Sequence, residues 1–283
     1  MLDVSAVKER REQTYGAPQP AATERERRGI HDDEPAYVLH SYPFKETSLI
    51  VEIFSRNFGR LGLVARGARR PRSSLRGQLM AFQPLSLSWA GKAELRTLHR
   101  AEWLAGHAQL AGPGLMCGFY LNELLLKLLA REDTHAGLYS AYEEALEGFR
   151  EGDQAARVLR RFEIKLLREL GYAMLLDHDA SGDPVDPAAS YTYLLEHGPT
   201  LLPEAGPVPS VELLGKTLLD MAADDYSDPI TQQQSRALMR FVLNHYLNGQ
   251  PIHTNLDIYA EAVSFEELVK RCPVRDPRHA GPR

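Results

Sequence analysis

The chain has 283 residues, 43% of them hydrophobic and 25% charged, with 21 glycines and 18 prolines, which excludes fibrous, collagen-like and wholly disordered proteins and fits one large or two modest globular domains. Its longest apolar runs, such as 124–130, fall short of the roughly 20 residues of a membrane helix. The N-terminus is too charged for a signal-peptide core, so the expectation is a cytoplasmic protein with no membrane partner.

The net charge of −5 is unevenly spread. Residues 1–35 carry 6 Lys/Arg and 8 Asp/Glu, residues 36–110 carry 11 and 4, and residues 111–283 carry 16 and 26. A basic block inside an acidic chain points to a polyanion partner, because a concentrated positive field attracts phosphates whatever the remainder carries.

Taken in chain order, residues 1–35 mix charges with Pro18 and Pro20 and show almost no apolar periodicity, which predicts a disordered tail. From Tyr37 the period becomes two. Leu49, Val51 and Ile53, then Leu61, Leu63 and Ala65, then Leu85, Leu87 and Trp89 mark half-buried strands, with a last strand over 94–103. Turn signals at Pro43, 57–59, 67–77 and 90–92 separate them. Five short strands in about 70 residues predict a closed Greek-key barrel of the OB-fold type, with a small SH3-like barrel as the alternative. After Pro113 the spacing changes to three and four (Leu115, Phe119, Leu121, Leu124, Leu125, Leu128, Leu129), and further helices are predicted over 135–150, 154–170, 211–222, 232–247 and 264–271. Thr231 with Gln234 and Ser264 with Glu267 fit capping boxes, and Gly171 and Asn248-Gly249 sit where a left-handed C-terminal cap belongs. The expected architecture is α+β: an OB-fold over 36–110, then an all-α domain over 111–272 with a loop-rich insert at 177–209, and a disordered C-terminal tail over 273–283.

Several chemical motifs fail on inspection. Gly215-Lys216-Thr217 has Ser210 where a phosphate-binding loop needs its first glycine. Asp177, Asp179, Ser181, Gly182 and Asp183 copy half an EF-hand loop, but Ala188 stands where calcium needs a glutamate. Two cysteines, Cys117 and Cys272, cannot make a disulfide framework or a four-cysteine zinc site, and no histidine pair has metal-ligand spacing. No catalytic residue, metal or cofactor is therefore expected. What survives is Arg56, Arg60, Arg66, Arg69, Arg70, Arg72, Arg76, Lys92, Arg96 and Arg100: ten cations against one acid, Glu94, in the same span. These are the candidate DNA-binding residues, and Phe58, Phe82, Trp89 and Trp103 are candidate stacking aromatics, with Trp89 better placed for the core.

The run 38–49 (VLHSYPFKETSL), the stretch 59–70 (GRLGLVARGARR), Phe82-Gln83-Pro84-Leu85 and the strand 91–102 closely resemble the bacterial RecO family of recombination mediators. The helical landmarks YLNEL (120–124), LRRFE (159–163), LGY (170–172) and YLNGQP (246–251) follow in the family's order. The resemblance covers about residues 36–255. It implies an OB-fold on a helical domain and binding of single- and double-stranded DNA at the nucleoid. It further implies annealing of complementary strands and cooperation with RecR in loading RecA on DNA coated by the single-strand binding protein SSB. It implies no enzymatic turnover. Some relatives hold zinc on four cysteines in the segment matching 177–209, which has no cysteine here, so zinc is not expected.

The resemblance also suggests capture of the SSB C-terminal tail, an acidic run ending in Phe and a carboxylate, on the helical domain. Leu159, Arg160, Arg161 and Phe162 meet the chemistry, an apolar face flanked by two arginines. The same pattern also fits bundle core, with the arginines solvated or paired to Glu163 or Glu169. The rivals are an RNA-binding OB protein and a metal-dependent nuclease built on Asp177, Asp179 and Asp183.

Overall fold

The computed structural model describes residues 29–104, 106–202 and 210–254. Most of the proposed N-terminal tail, the C-terminal tail and the helix proposed at 264–271 lie outside the described residues. Five strands, β1 (Ile30–Phe44), β2 (Ser48–Ser55), β3 (Gly59–Ala65), β4 (Leu85–Ala90) and β5 (Leu95–Trp103), close a barrel in the order β1-β2-β3-β5-β4. All neighbours are antiparallel except β3 and β5, which run parallel with Leu63 opposite Arg96. This is the OB-fold expected from the sequence. A short helix α1 (Leu75–Gln78) lies in the β3–β4 connection.

The residues read at period two fill the barrel: Val51, Ile53, Leu61, Leu63, Leu85, Leu87 and Trp89 form its core. The first strand begins at Ile30, earlier than Tyr37, because residues 30–36 pair with β4 and Glu34 accepts hydrogen bonds from Ser55 and from the Asn57 amide. β1 is also buried on both faces. Ala36 and Val38 enter the barrel core, while Tyr37 and Leu39 join Phe54 in a second core made with the helices.

Helices α2 (Gly112–Leu128), α3 (Ala136–Glu151), α4 (Ala155–Glu169), α5 (Gly215–Ala222) and α6 (Pro229–Tyr246) build the second half. Helix α4 stops where Gly171 takes a φ of +86° and the Tyr172 amide reaches back to the Leu167 carbonyl at 2.8 Å, a left-handed cap as the glycine position suggested. The start of α6 departs from the sequence reading. Its N-cap is Asp228, whose carboxylate accepts from the Ile230 amide at 3.0 Å, with Pro229 in the first turn. Thr231 instead donates to Asp220 at 2.6 Å and Gln234 accepts from Thr217 at 2.6 Å, so the supposed capping pair ties α6 to α5.

The insert expected to be loop holds a three-stranded sheet, β7-β6-β8, from β6 (Ser190–Leu194), β7 (Gly198–Leu201) and β8 (Val211–Leu214). The second domain is thus helical with a small sheet, not all-α, and 211–214 is strand where helix was expected. A four-residue stretch such as Val-Glu-Leu-Leu does not distinguish strand from helix, and pairing with β6 decides. Gly215 follows because a Cβ there would stand 1.9 Å from the Asp186 carbonyl oxygen.

Candidate nucleic-acid interface

The ten basic candidates separate into two groups by what holds them. The loop after β3 carries Arg66, Arg69, Arg70 and Arg72, all exposed, and Arg76 follows on α1. Its shape is set locally: Gly67 adopts a φ of +68°, Ala68 is fully buried against the barrel core, and the Arg69 amide donates to the Thr47 carbonyl at 2.9 Å. Anchoring Ala68 inward leaves its arginine neighbours no direction but outward. Arg66, Arg70 and Arg72 line an open groove whose opposite wall is His99, Arg100 and Glu102 of β5. Among the described residues, Arg66, Arg70, Arg72, Arg76 and Lys92 make no ion pair.

The other group is engaged inside the chain. Arg56 pairs with Glu143 of α3 at 3.1 Å. Arg60 donates to the Leu126 carbonyl, and burial lowers its pKa from the usual arginine value. Arg96 is buried and pairs with Glu132 at 2.8 Å. Arg100 lies against Glu102 and Asp33, and its hydrogen bond to Glu102 raises its pKa. Arg56, Arg60 and Arg96 thus face the helical half, because Glu132 and Glu143 come to the barrel wall on the far side of the chain fold. Arg131, a residue sequence reasoning missed, bridges Glu52 and Glu94 of the barrel. The only sequence signal for it was a lone basic residue after a helix.

On the helical half, Leu159 and Phe162 are buried in the core, as is Leu166. Arg160 is buried beside Glu163, which also accepts from the Tyr120 hydroxyl at 2.7 Å. Packing therefore withdraws three of the four tail-binding candidates from solvent. Arg161 remains exposed, paired with Asp224, which Arg157 also reaches at 2.9 Å. Burial opposes ionisation of Asp224, but hydrogen bonds from Arg161 and Arg157 outweigh it and lower its pKa. Beside Arg161 runs a groove lined by Ile164, Lys165, Arg168, Ala141 and Tyr226.

The acidic cluster is used up in turns: Asp179 accepts from the Ser181 and Asp183 amides at 2.9 and 3.0 Å. Among the described residues no group of three His, Cys, Asp or Glu side chains is placed to hold a metal. Cys117 is buried in the core, which pushes its thiol up to about 11.

Residues 32–107 match the family model "Recombination protein O N terminal", and residues 109–250 match "Recombination protein O C terminal". The chain belongs to the RecO family. A DNA repair protein RecO of Nitrosospira multiformis is 55% identical over 222 residues, covering 78% of this chain and 92% of the relative. Those of Aromatoleum aromaticum and Dechloromonas aromatica are 55% and 52% identical over 227 residues, each covering 79% of this chain and 93% of the relative. The chain is therefore a RecO family DNA repair protein.

The segments that carry the RecO resemblance turn out to be joints of the fold. In YLNEL, Asn122 is buried at the seam between barrel and helices, while Glu123 grips the segment that follows α6. Its carboxylate accepts from the His253 and Thr254 amides, both at 2.8 Å, and from Lys127 at 2.6 Å. In LRRFE, Arg160 and Glu163 form the buried pair. In YLNGQP, Asn248 and Gly249 take φ values of +51° and +74°, and the Pro251 carbonyl accepts from Lys127.

Proposed function

We propose that this RecO family chain binds single- and double-stranded DNA in the groove between the arginine loop and β5, and anneals complementary strands there. In this reading it cooperates with RecR in loading RecA on DNA coated by SSB, in the cytoplasm at the nucleoid, and performs no turnover of its own. The observation that carries the reading is the set of loop arginines free of ion pairs on a barrel attached to an acidic helical half. Cations already neutralised by carboxylates gain little from phosphate. Unpaired, exposed ones release counterions when they meet it.

Complementary oligonucleotides carrying a fluorophore and a quencher test the annealing. The wild-type chain accelerates their pairing, and the folded Arg66→Ala, Arg70→Ala, Arg72→Ala triple variant does not. Equal acceleration by the two proteins would remove the groove from the site.

The SSB tail, in the same reading, docks on the groove beside Arg161, where Arg168, which makes no ion pair among the described residues, offers a further cation and Ile164 an apolar wall. Arg161 is the one tail-binding candidate left in solvent, and its guanidinium can exchange Asp224, which keeps Arg157, for both oxygens of a terminal carboxylate. An Arg161→Ala, Arg168→Ala variant loses a tail peptide ending in Phe while keeping oligonucleotide affinity. Undiminished peptide binding would sink the assignment.

A further inference from the structure

The two tryptophans of the chain have opposite surroundings. Trp89 is 0% exposed inside the barrel, its ring centre 5.6 Å from that of Phe58. Trp103, the last residue of β5, is 48% exposed. Its indole N–H donates to the Gln78 carbonyl at 3.0 Å. Gln78 and Glu102, the hydrogen-bond partner and the preceding residue of Trp103, both line the arginine groove. The indole therefore adjoins that groove through its bond to Gln78, with its one donor satisfied by main chain and its orientation held while half of its surface meets water.

A buried indole N–H normally finds a partner, and a half-exposed ring held by such a bond is a rigid apolar plate with about half of its surface left open by the described residues. We propose that Trp103 is a stacking platform for one unpaired base of a DNA single strand whose phosphates lie along Arg66, Arg70 and Arg72. The inference rests on the groove being the DNA site and adds to it a preference for unpaired strands. Bases in a duplex are already stacked on one another and cannot reach the ring. Stacking on an aromatic side chain tolerates any base, because each has a π-face. Arg100 cannot substitute for the indole, since Glu102 and Asp33 already hold its guanidinium.

Intrinsic fluorescence of the full chain isolates the event, because the emission of Trp89 comes from a site no base can reach. Titration with a 15-nucleotide thymidine oligonucleotide quenches tryptophan emission in step with binding measured by anisotropy of an end label. A 15-base-pair duplex binds with little quenching. Trp103→Phe keeps most of the single-strand affinity, whereas Trp103→Ala lowers it about five- to a hundredfold and leaves duplex affinity unchanged. Anisotropy showing tight single-strand binding with unchanged tryptophan emission would overturn the stacking role and leave the groove intact. Loss of duplex and single-strand affinity to the same degree in Trp103→Ala would also overturn it. Failure of the underlying reading looks different: the Arg66, Arg70, Arg72 triple alanine variant would then bind both nucleic acids as the wild type does.

Discussion

The side-chain amide of Asn122 donates to the Leu39 carbonyl at 2.9 Å and accepts from the Tyr142 hydroxyl at 2.6 Å, joining β1, α2 and α3 at one buried point. Leu39 is itself the unpaired residue where β1 shifts register against β2, between Val38 and His40. The strand there has a carbonyl turned from the sheet toward the helices, and Asn122 satisfies it. Tyr37 and Phe54 pack around the same seam, their ring centres 5.2 and 6.2 Å from that of Tyr142.

Removing that amide leaves a buried carbonyl and a buried hydroxyl unpaired. Asn122→Ala should lower unfolding free energy by about 2–4 kcal/mol, measured by urea denaturation. The folded fraction should bind DNA normally, since the residue lies away from the arginine loop. A loss below about 0.5 kcal/mol would mean that water replaces both bonds.

The division of the arginines into free and engaged groups makes salt the discriminating variable. For single strands the logarithm of affinity falls by about 0.7 per phosphate contact for each unit in the logarithm of salt, so the triple alanine variant of Arg66, Arg70 and Arg72 should flatten the slope by about 2. Arg96→Ala should leave the slope alone and reduce stability, because it removes the packing of a buried side chain, whereas half-exposed Glu132 is left to water. A slope change in Arg96→Ala equal to that of a loop arginine would reverse the assignment.

Glu123 makes stability depend on acid. Burial raises its pKa, but hydrogen bonds from the His253 amide, Lys127 and Thr254 outweigh this and bring it to about 2, against a usual 4.5. A carboxylate depressed in the folded state stabilises fully above its unfolded pKa, and that stabilisation is lost as pH falls from about 4.5 through about 2. Allowing for solvent screening at a partly exposed site, the contribution at pH 7 is about 1–2 kcal/mol. Glu123→Gln should show this loss at pH 7, and the difference from wild type should shrink toward pH 2. A difference independent of pH would point to lost packing rather than lost charge.

Metal removal should change nothing in the helical half. The segment where some RecO relatives hold zinc is here stitched by its own polar groups: the Asp186 amide donates to the Tyr191 hydroxyl at 2.9 Å, and β6 pairs on both sides. A structural zinc contributes folding free energy outright, so chelation would lower the melting temperature if one were bound. We expect an unchanged melting temperature after chelator treatment, and stoichiometric zinc in the purified chain would contradict this.

The sequence by itself determined the barrel, most of the helices and the basic character of the first half. Val51, Ile53, Leu85 and Leu87 repeat at two because one side of each strand fills the barrel. Leu121, Leu124 and Leu125 on α2, and Leu159, Phe162 and Leu166 on α4, recur at three and four because one side of each helix fills the core. Such periods are local and survive in a one-dimensional string. Only the tertiary structure decided which cations are free. Arg56 meets Glu143 across 87 positions and Arg131 meets Glu52 across 79, and no local period marks such a pair. The same holds for Tyr37 and Phe54, which sit on the face that alternation assigns to solvent and are buried there by α3. It holds again for 211–214, where the short stretch Val-Glu-Leu-Leu became strand because β6 offered it hydrogen-bond partners. Long-range pairing places a residue by what another part of the chain brings to it, and that information exists only once the chain has closed on itself.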